Sequence, residues 1–340
     1  MLPARSTQGT SMIPDADHAL DSAIQAVTEA AHLCMEVQQE RHSDESLAKT
    51  DKSPVTVADF GAQAIISHLL AEAFPEIPLL AEEDAAALRE PAQAHLFERV
   101  CRHVRNRLPA LSESDVLAAI DRGGHAGGAT GCHWVLDPID GTKGFLRRDQ
   151  YAIALALIDA GEVVAGVLGC PALPIGPDPD GPVGCLFLAT RGGGAFMRPL
   201  AGGADEPVRV TALTDPARAR FCESVEAAHS SHNDASRIAA HLGVTEPPFR
   251  IDSQCKYGAV ARGDASIYLR LPTRVGYEER VWDHAAGSIV VEEAGGRVTD
   301  IDGKPLDYSL GRTLRNNTGI VATNGLLHDN VLAAVQAVLQ

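Results

Sequence analysis

Apolar positions along the chain fall into two regimes. Leu20, Ile24, Val27, Ala31, Cys34 and Val37 recur at helical spacing, which predicts an amphipathic first helix. The stretch after Asp59 repeats the pattern with Ile65, Ile66, Leu69, Leu70 and Phe74, and Pro75 ends it. Leu79-Leu80 reads as a short strand running into Glu82-Glu83-Asp84, 85–120 as helical but less regular, and 123–131 as a Gly/Ala-rich loop. β-type patterning then takes over. Tyr151–Asp159 and Glu162–Leu168 are apolar runs joined at Ala160-Gly161, which predicts a hairpin. A Pro/Gly/Asp loop follows over 171–182, then short strands at Cys185–Thr190, Gly194–Met197 and Val208–Thr211.

Beyond about residue 205 strand and helix alternate. Strands are expected at Phe221–Val225, Ala265–Leu271 and Ile320–Ala322, and helices around Asp234–Leu242, from Trp282 onward, and at Asp329–Leu339. Antiparallel strands first and βα alternation later predict two α/β sub-domains sharing layers, 15–205 and 206–340. No internal repeat is visible.

Composition narrows the classes. With 340 residues and 45% hydrophobic content the chain can bury a substantial core. No apolar run approaches the roughly 20 residues of a membrane span. The first 14 residues lack acids and carry Ser and Thr, compatible with a weak transit segment; the expected location is the cytoplasm, with an organelle as the alternative. Seven cysteines, none in C-x-x-C or zinc-ligand spacing, read as reduced, mostly buried thiols. A formal charge of −16 repels nucleic-acid polymers and anionic membranes. That charge suits phosphate-ester chemistry only where the acids gather around bound cations. No G-x-G-x-x-G, P-loop or H-E-x-x-H occurs.

Trp134-Val-Leu-Asp137-Pro-Ile139-Asp140-Gly141-Thr142-Lys143-Gly144-Phe145 carries most of the chemistry. A buried strand delivers two aspartates three residues apart, with Pro138 stiffening the chain between them. Gly141 permits a turn, and Thr142 can begin a helix. Hard oxygen ligands on a rigid strand end suit Mg²⁺, and amides at a helix start would seat an anion beside it. Asp, Pro and Gly also favour turns, so the dipeptides alone carry little; the whole segment carries the reading.

With this segment the chain resembles the inositol monophosphatase-like, lithium-sensitive phosphatases, and within them the 3′(2′),5′-bisphosphate nucleotidase branch, over about residues 18–338. Ser53-Pro-Val55-Thr56-Val-Ala-Asp59 is similar to the family's V-T-x-x-D segment, and Glu82 stands 23 residues later in Ala81-Glu82-Glu83, with Ala81 where Gly is usual. Asp59 could equally be a helix N-cap. Val281-Trp282-Asp283-His284-Ala-Ala-Gly287 matches W-D-x-A-A-G and is expected to open a helix continuing to Glu293.

The resemblance implies a layered αβαβα sandwich of the inositol monophosphatase/fructose-1,6-bisphosphatase type. It implies two or three Mg²⁺ ions held by Glu82, Asp137, Asp140, Asp283 and the Ile139 carbonyl, with Asp59 and Thr142 orienting and deprotonating a water. It also implies inhibition by Li⁺. For substrate it points to a small 3′-phosphoadenosine nucleotide, adenosine 3′,5′-bisphosphate or its sulfated form, acted on by a monomer. The branch's H-S-S-H, S-Q-x-K-Y and Y-L-R-L-P segments are matched at His229–His232, Ser253–Tyr257 and Tyr268–Pro272. They make His229, Ser253, Lys256 and Arg270, with Gly141 and Thr142, the expected substrate contacts. Each also has an ordinary reading: Lys256 or Arg270 as solvated charges, Tyr268 as core, His232 as a cap. The rival activities are an inositol (poly)phosphate 1-phosphatase and a non-catalytic nucleotide or metal sensor.

Overall fold

The structure is a computed structural model that describes residues 16–40, 46–48, 54–176, 178, 181–225, 232–272, 274 and 276–339. Two helices build its outer layer. α1 (Ala16–Glu40) is amphipathic and buries Ala23, Val27, Ala30, Leu33, Cys34 and Val37. A short antiparallel pair, β1 (Ser46–Ala48) and β2 (Pro54–Thr56), leads into α2 (Val57–Ala73). α2 buries residues all round its circumference, as a helix enclosed by other elements must. It packs against α1, α3 (Ala94–Arg107) and α4 (Glu113–Asp121). The expected helical stretch 85–120 is therefore two short 3₁₀ turns followed by these two helices.

Both outer helices sit on a seven-stranded sheet of sequential order: β3 (Leu79–Ala81), β4 (Cys132–Asp140), β5 (Ala152–Asp159), β6 (Glu162–Pro174), β7 (Val183–Thr190), β8 (Gly194–Pro199) and β9 (Glu206–Pro207). Only the β3–β4 pair is parallel. A short helix, α5 (Thr142–Arg147), interrupts the chain between β4 and β5. Side chains alternate faces along each strand. In β5, Ile153, Leu155 and Leu157 face α1 and α2, while Ala152, Ala154 and Ala156 face the next layer. The hairpin forms at Ala160-Gly161 as expected. β6 runs further, to Pro174, into the expected loop. The strand expected at 208–211 is replaced by the two-residue pairing of β9 with β8.

The middle layer is α7 (Cys255–Ala261) and α8 (Ala285–Glu293), both packed between the two sheets. α8 lies close on β6 because Gly166 has no side chain. A Cβ there would come within 2.6 Å of Ile289 Cγ2 and 3.1 Å of the Ala286 carbonyl.

The second sheet has five strands in the order β11 (Phe249–Arg250), β10 (Phe221–Glu223), β12 (Ile267–Arg270), β14 (Ile320–Thr323) and β13 (Arg297–Thr299). Its far face is covered by α6 (His232–His241) and α9 (His328–Leu339), through a core that includes Ile238, Ile267, Leu269, Val321, Val331 and Val335. The order of layers is thus helix, sheet, helix, sheet, helix, the αβαβα sandwich expected. α7, β11 and β13 had no clear periodic signal, being two to seven residues long. Among the described residues no helix is long and apolar enough to cross a membrane.

Candidate active site

The site begins where the parallel strands β3 and β4 end. β3 pairs with β4 from Leu79↔Trp134 to Ala81↔Leu136. The next residue, Glu82, donates its N–H to the Leu136 carbonyl at 3.2 Å, so its carboxylate leaves the sheet edge beside Asp137. The following turn is pinned from below by Gln63 of α2. Gln63 Nε2 donates to the Glu83 and Ile120 carbonyls at 2.7 and 2.8 Å, and its Oε1 accepts the Glu83 N–H at 3.1 Å. A fully buried amide with these partners fixes a turn that would otherwise swing freely.

β4 is longer than its apolar core suggests and carries both aspartates inside the strand. Asp137 pairs with Ala154 and Asp140 with Ala152, with an irregular register between them at Pro138-Ile139. That irregularity follows from proline, which cannot donate to a ladder. Asp137 is buried, and its Oδ1 accepts the Ile139 N–H at 3.1 Å. Gly141 then turns the chain at φ +87°, left-handed territory, and a Cβ there would meet Ser253 Cβ at 2.9 Å. Thr142 opens α5, with the Phe145 N–H donating to the Gly141 carbonyl at 3.0 Å.

Asp59 is not the N-cap of α2. The cap is Thr56, and Asp59 is the third helical residue of a reciprocal capping box. Its Oδ2 accepts from the Thr56 N–H and hydroxyl at 2.8 and 2.6 Å, which orients the carboxylate. Its Oδ1 lies 3.3 Å from Thr142 Oγ1, which lies equally 3.3 Å from the Ile139 carbonyl. A hydroxyl has one proton and two lone pairs, so this group can serve one acceptor while accepting from a third molecule. Asp59, Thr142, Ile139 and Asp137 thus meet in one place, and Glu82 is near enough to act electrostatically on Asp140.

The second half comes from the middle layer. Asp283 lies in a 3₁₀ turn, Val281–Asp283, ahead of α8 rather than at the start of a continuous helix. Gln254 bridges the halves. Its N–H donates to Asp140 Oδ2 at 2.6 Å, its Nε2 donates to the Trp282 carbonyl at 2.9 Å, and its Oε1 accepts the Gly287 N–H at 3.1 Å. Arg312 bridges them again: it donates to the Ala81 and His125 carbonyls at 2.6 and 3.1 Å, and its guanidinium stands 4.8 Å from the Trp282 ring centre. Neither role was visible beforehand. Gln254 sat inside a segment valued for its lysine, and Arg312 carries no local motif.

Lys256 and Arg270 are not surface charges. Lys256 is buried, with Nζ 5.3 Å from the Tyr268 ring centre. Burial pushes its pKa down, against the pull of Asp140 and Asp252. Arg270 Nε lies 2.8 Å from Glu279 and its Nη2 lies 3.1 Å from Asp283. Tyr268 is core, as the ordinary reading had it, and its ring also faces Lys256. Ser253 is buried at φ +65°, with its Oγ accepting the Cys255 N–H at 3.2 Å. His229 lies outside the described residues.

The carboxylates sense one another. Burial raises the pKa of Asp140; Glu82 raises it further, while Lys256 and Arg270 draw it down. Burial raises Asp283 to about 7, with Asp140 adding to the rise and Arg270 opposing it. Converging acids with raised pKa values are what an all-oxygen cation site looks like before the cation is counted. The donor set, carboxylates plus the Ile139 carbonyl, fits a hard divalent ion. Glu279, Asp283 and His284 also place ligand atoms within 4.8 Å of one another, but Arg270 already supplies the positive charge there. Cys132, Cys185 and Cys222 are no rivals as nucleophiles, since burial pushes their thiols up to about 12.

The chain is similar to known proteins over nearly its whole length. A 3′(2′),5′-bisphosphate nucleotidase of Oryza sativa is 48% identical over 334 residues, spanning 93% of both chains. One of Schizosaccharomyces pombe is 44% identical over 332 residues, 93% of this chain and 94% of that one. Among solved structures, a Thermotoga maritima IMPase superposes with a TM-score of 0.66 at 25% identity, covering 94% of this chain and 98% of its own. The model of the inositol monophosphatase family matches residues 15–340. With the layered fold on one side and this match over nearly the whole sequence on the other, the chain belongs to the inositol monophosphatase family.

Proposed function

We propose that this protein is a Mg²⁺-dependent phosphatase that removes the 3′-phosphate of adenosine 3′,5′-bisphosphate, giving AMP and phosphate, and that also accepts the 3′-phosphate of the sulfated nucleotide. The observation that carries the reading is one arrangement. The Asp59–Thr142 pair and the Asp137–Asp140 strand end adjoin Asp140–Gln254–Trp282, which brings Asp283, Lys256 and Arg270 to the same place. Relatives at 44–48% identity carry the nucleotidase name.

Glu82, Asp137, Asp140, Asp283 and the Ile139 carbonyl would hold two or three Mg²⁺ ions. Bound there, the metal supplies charge neutralisation on the phosphate oxygens and an acidified water. Asp59, held rigid by Thr56, accepts the proton of the attacking water, and the Thr142 hydroxyl orients that water. The amides around Gly141–Lys143 and Ser253 contact the substrate. Lys256 and Arg270, with His229, receive the rest of the nucleotide, the two cations taking the second phosphate. The chain divides at 205/206 into a sub-domain with most metal ligands and one with Asp283 and the nucleotide contacts. It works as a monomer in the cytoplasm, on small molecules and not on nucleic-acid polymers.

The test is phosphate release from adenosine 3′,5′-bisphosphate, its sulfated form, inositol 1-phosphate and inositol 1,4-bisphosphate, each with Mg²⁺ and with or without Li⁺. Preference for the nucleotides, with inhibition by Li⁺, is expected. Preference for an inositol phosphate would make it an inositol phosphatase, and binding without release a sensor.

A further inference from the structure

Glu279 plays no part in the mechanism above, yet it is buried beside the site. It stands in the loop ahead of the Val281–Asp283 turn and faces two partners. Arg270 Nε lies 2.8 Å from its Oε2, and His284 Nε2 lies 3.2 Å from the same oxygen. His284 is fully buried, and its Nδ1 is 2.8 Å from the Tyr257 hydroxyl. Both contacts are satisfied by one proton assignment. The Tyr257 hydroxyl donates to Nδ1, and Nε2–H donates to Glu279. Tyr257 is itself buried and edge-on to Tyr268, at 5.0 Å between ring centres. A chain of buried, hydrogen-bonded groups therefore ends on the guanidinium of Arg270.

That chain settles which edge of Arg270 is available. Held at Nε by Glu279, the guanidinium turns Nη2 toward Asp283, 3.1 Å away. The cation sits between two carboxylates and is drawn toward both. Remove Glu279, and the guanidinium loses the contact that fixes its Nε edge, so it can swing about its Asp283 contact and away from the substrate.

We infer that Glu279 is the positioning residue for Arg270. Through the Tyr257–His284 relay it holds the guanidinium edge-on, so that Arg270 meets the non-reacting phosphate of a bisphosphorylated nucleotide. This rests on the reading that Arg270 takes that phosphate.

The experiment compares kcat/KM for adenosine 3′,5′-bisphosphate and for 3′-AMP, which lacks the second phosphate. It uses the full chain with Mg²⁺ and the variants E279Q, R270A and E279Q/R270A. R270A lowers the bisphosphate-to-monophosphate ratio. E279Q lowers it by roughly tenfold, through KM for the bisphosphate, as loss of one charge-assisted contact would. The double variant loses no more than R270A alone, because both changes act through one side chain. Equal losses on both substrates, or losses that multiply in the double variant, overturn the inference. If R270A lowers the ratio and E279Q does not, the inference fails and the Arg270 assignment stands. A ratio that R270A leaves unchanged overturns both. Should E279Q not fold, Glu279→Asp, which keeps the charge and shortens its reach, is expected to lose the same ratio.

Discussion

The Thr142 hydroxyl lies 3.3 Å from Asp59 Oδ1, joining the start of α5 to the first turn of α2 across 83 residues of sequence. Neither group is oriented by chance. Asp59 is locked by the Thr56 capping box, and Thr142 follows a left-handed glycine that turns its side chain back to the strand end. Thr142→Ala should therefore lower kcat by on the order of 10²–10⁴-fold with little change in KM, while Thr142→Ser retains most activity. Steady-state kinetics of the two variants checks this; equal activity of Ala and Ser would remove Thr142 from the chemistry.

Asp137→Asn removes one buried carboxylate without changing its size. Mg²⁺-dependent phosphate release should disappear while circular dichroism stays that of the parent. The parent should also melt higher in Mg²⁺ than in chelator, because a ligand that binds only the folded state stabilises it, and that shift should shrink in the variant. Near-normal turnover would sink the metal-site assignment.

Gln254 is hydrogen-bonded to Asp140, Trp282 and Gly287 at once. Gln254→Ala keeps the backbone donor to Asp140 but frees the turn that carries Asp283. The concentration of Mg²⁺ giving half-maximal activity should rise about 10- to 100-fold, the range for residues that orient metal ligands. A Mg²⁺ titration of the variant measures it.

How far the site was legible from sequence depended on range. Asp137, Asp140 and Thr142 lie within six residues, and their spacing alone suggested metal beside phosphate. The helix of Asp59 was legible too, but not its cap, because Thr56 and Asp59 are both good capping residues and only geometry separates them. Glu82 and Asp283 are assigned by resemblance, not periodicity, since each stands in a turn. Gln254 and Arg312 were missed for a common reason. Their partners are mostly backbone carbonyls and amides far away in sequence, which leave no pattern in residue types. The layered architecture was clearer, because β5 and β6 are continuous apolar runs joined by a short turn and α1 has an apolar stripe. The short elements α7, β11 and β13 owe their form to the packing around them.

Stability should fall on mild acidification through a site remote from catalysis. His328 is fully buried, with Nε2 2.9 Å from Thr299 Oγ1 and Nδ1 2.9 Å from Thr323 Oγ1. Burial lowers its pKa from 6.5 to about 4, with Arg297 adding to the fall. Since the folded protein binds this proton more weakly than the unfolded chain, its contribution is present above pH 6.5 and is lost as pH falls toward 4. The loss is on the order of 3 kcal/mol at most. Denaturant unfolding at pH 7 and pH 5 should show a smaller pH dependence in His328→Gln than in the parent.

The central claim is that the carboxylate end takes the 3′-phosphate while Lys256 and Arg270 hold the other. It is tested most directly by which phosphate leaves. Adenosine 3′,5′-bisphosphate, incubated with the protein and Mg²⁺ and followed by phosphorus NMR, should give inorganic phosphate and 5′-AMP alone. Accumulation of 3′-AMP, or no phosphate release, would contradict the account.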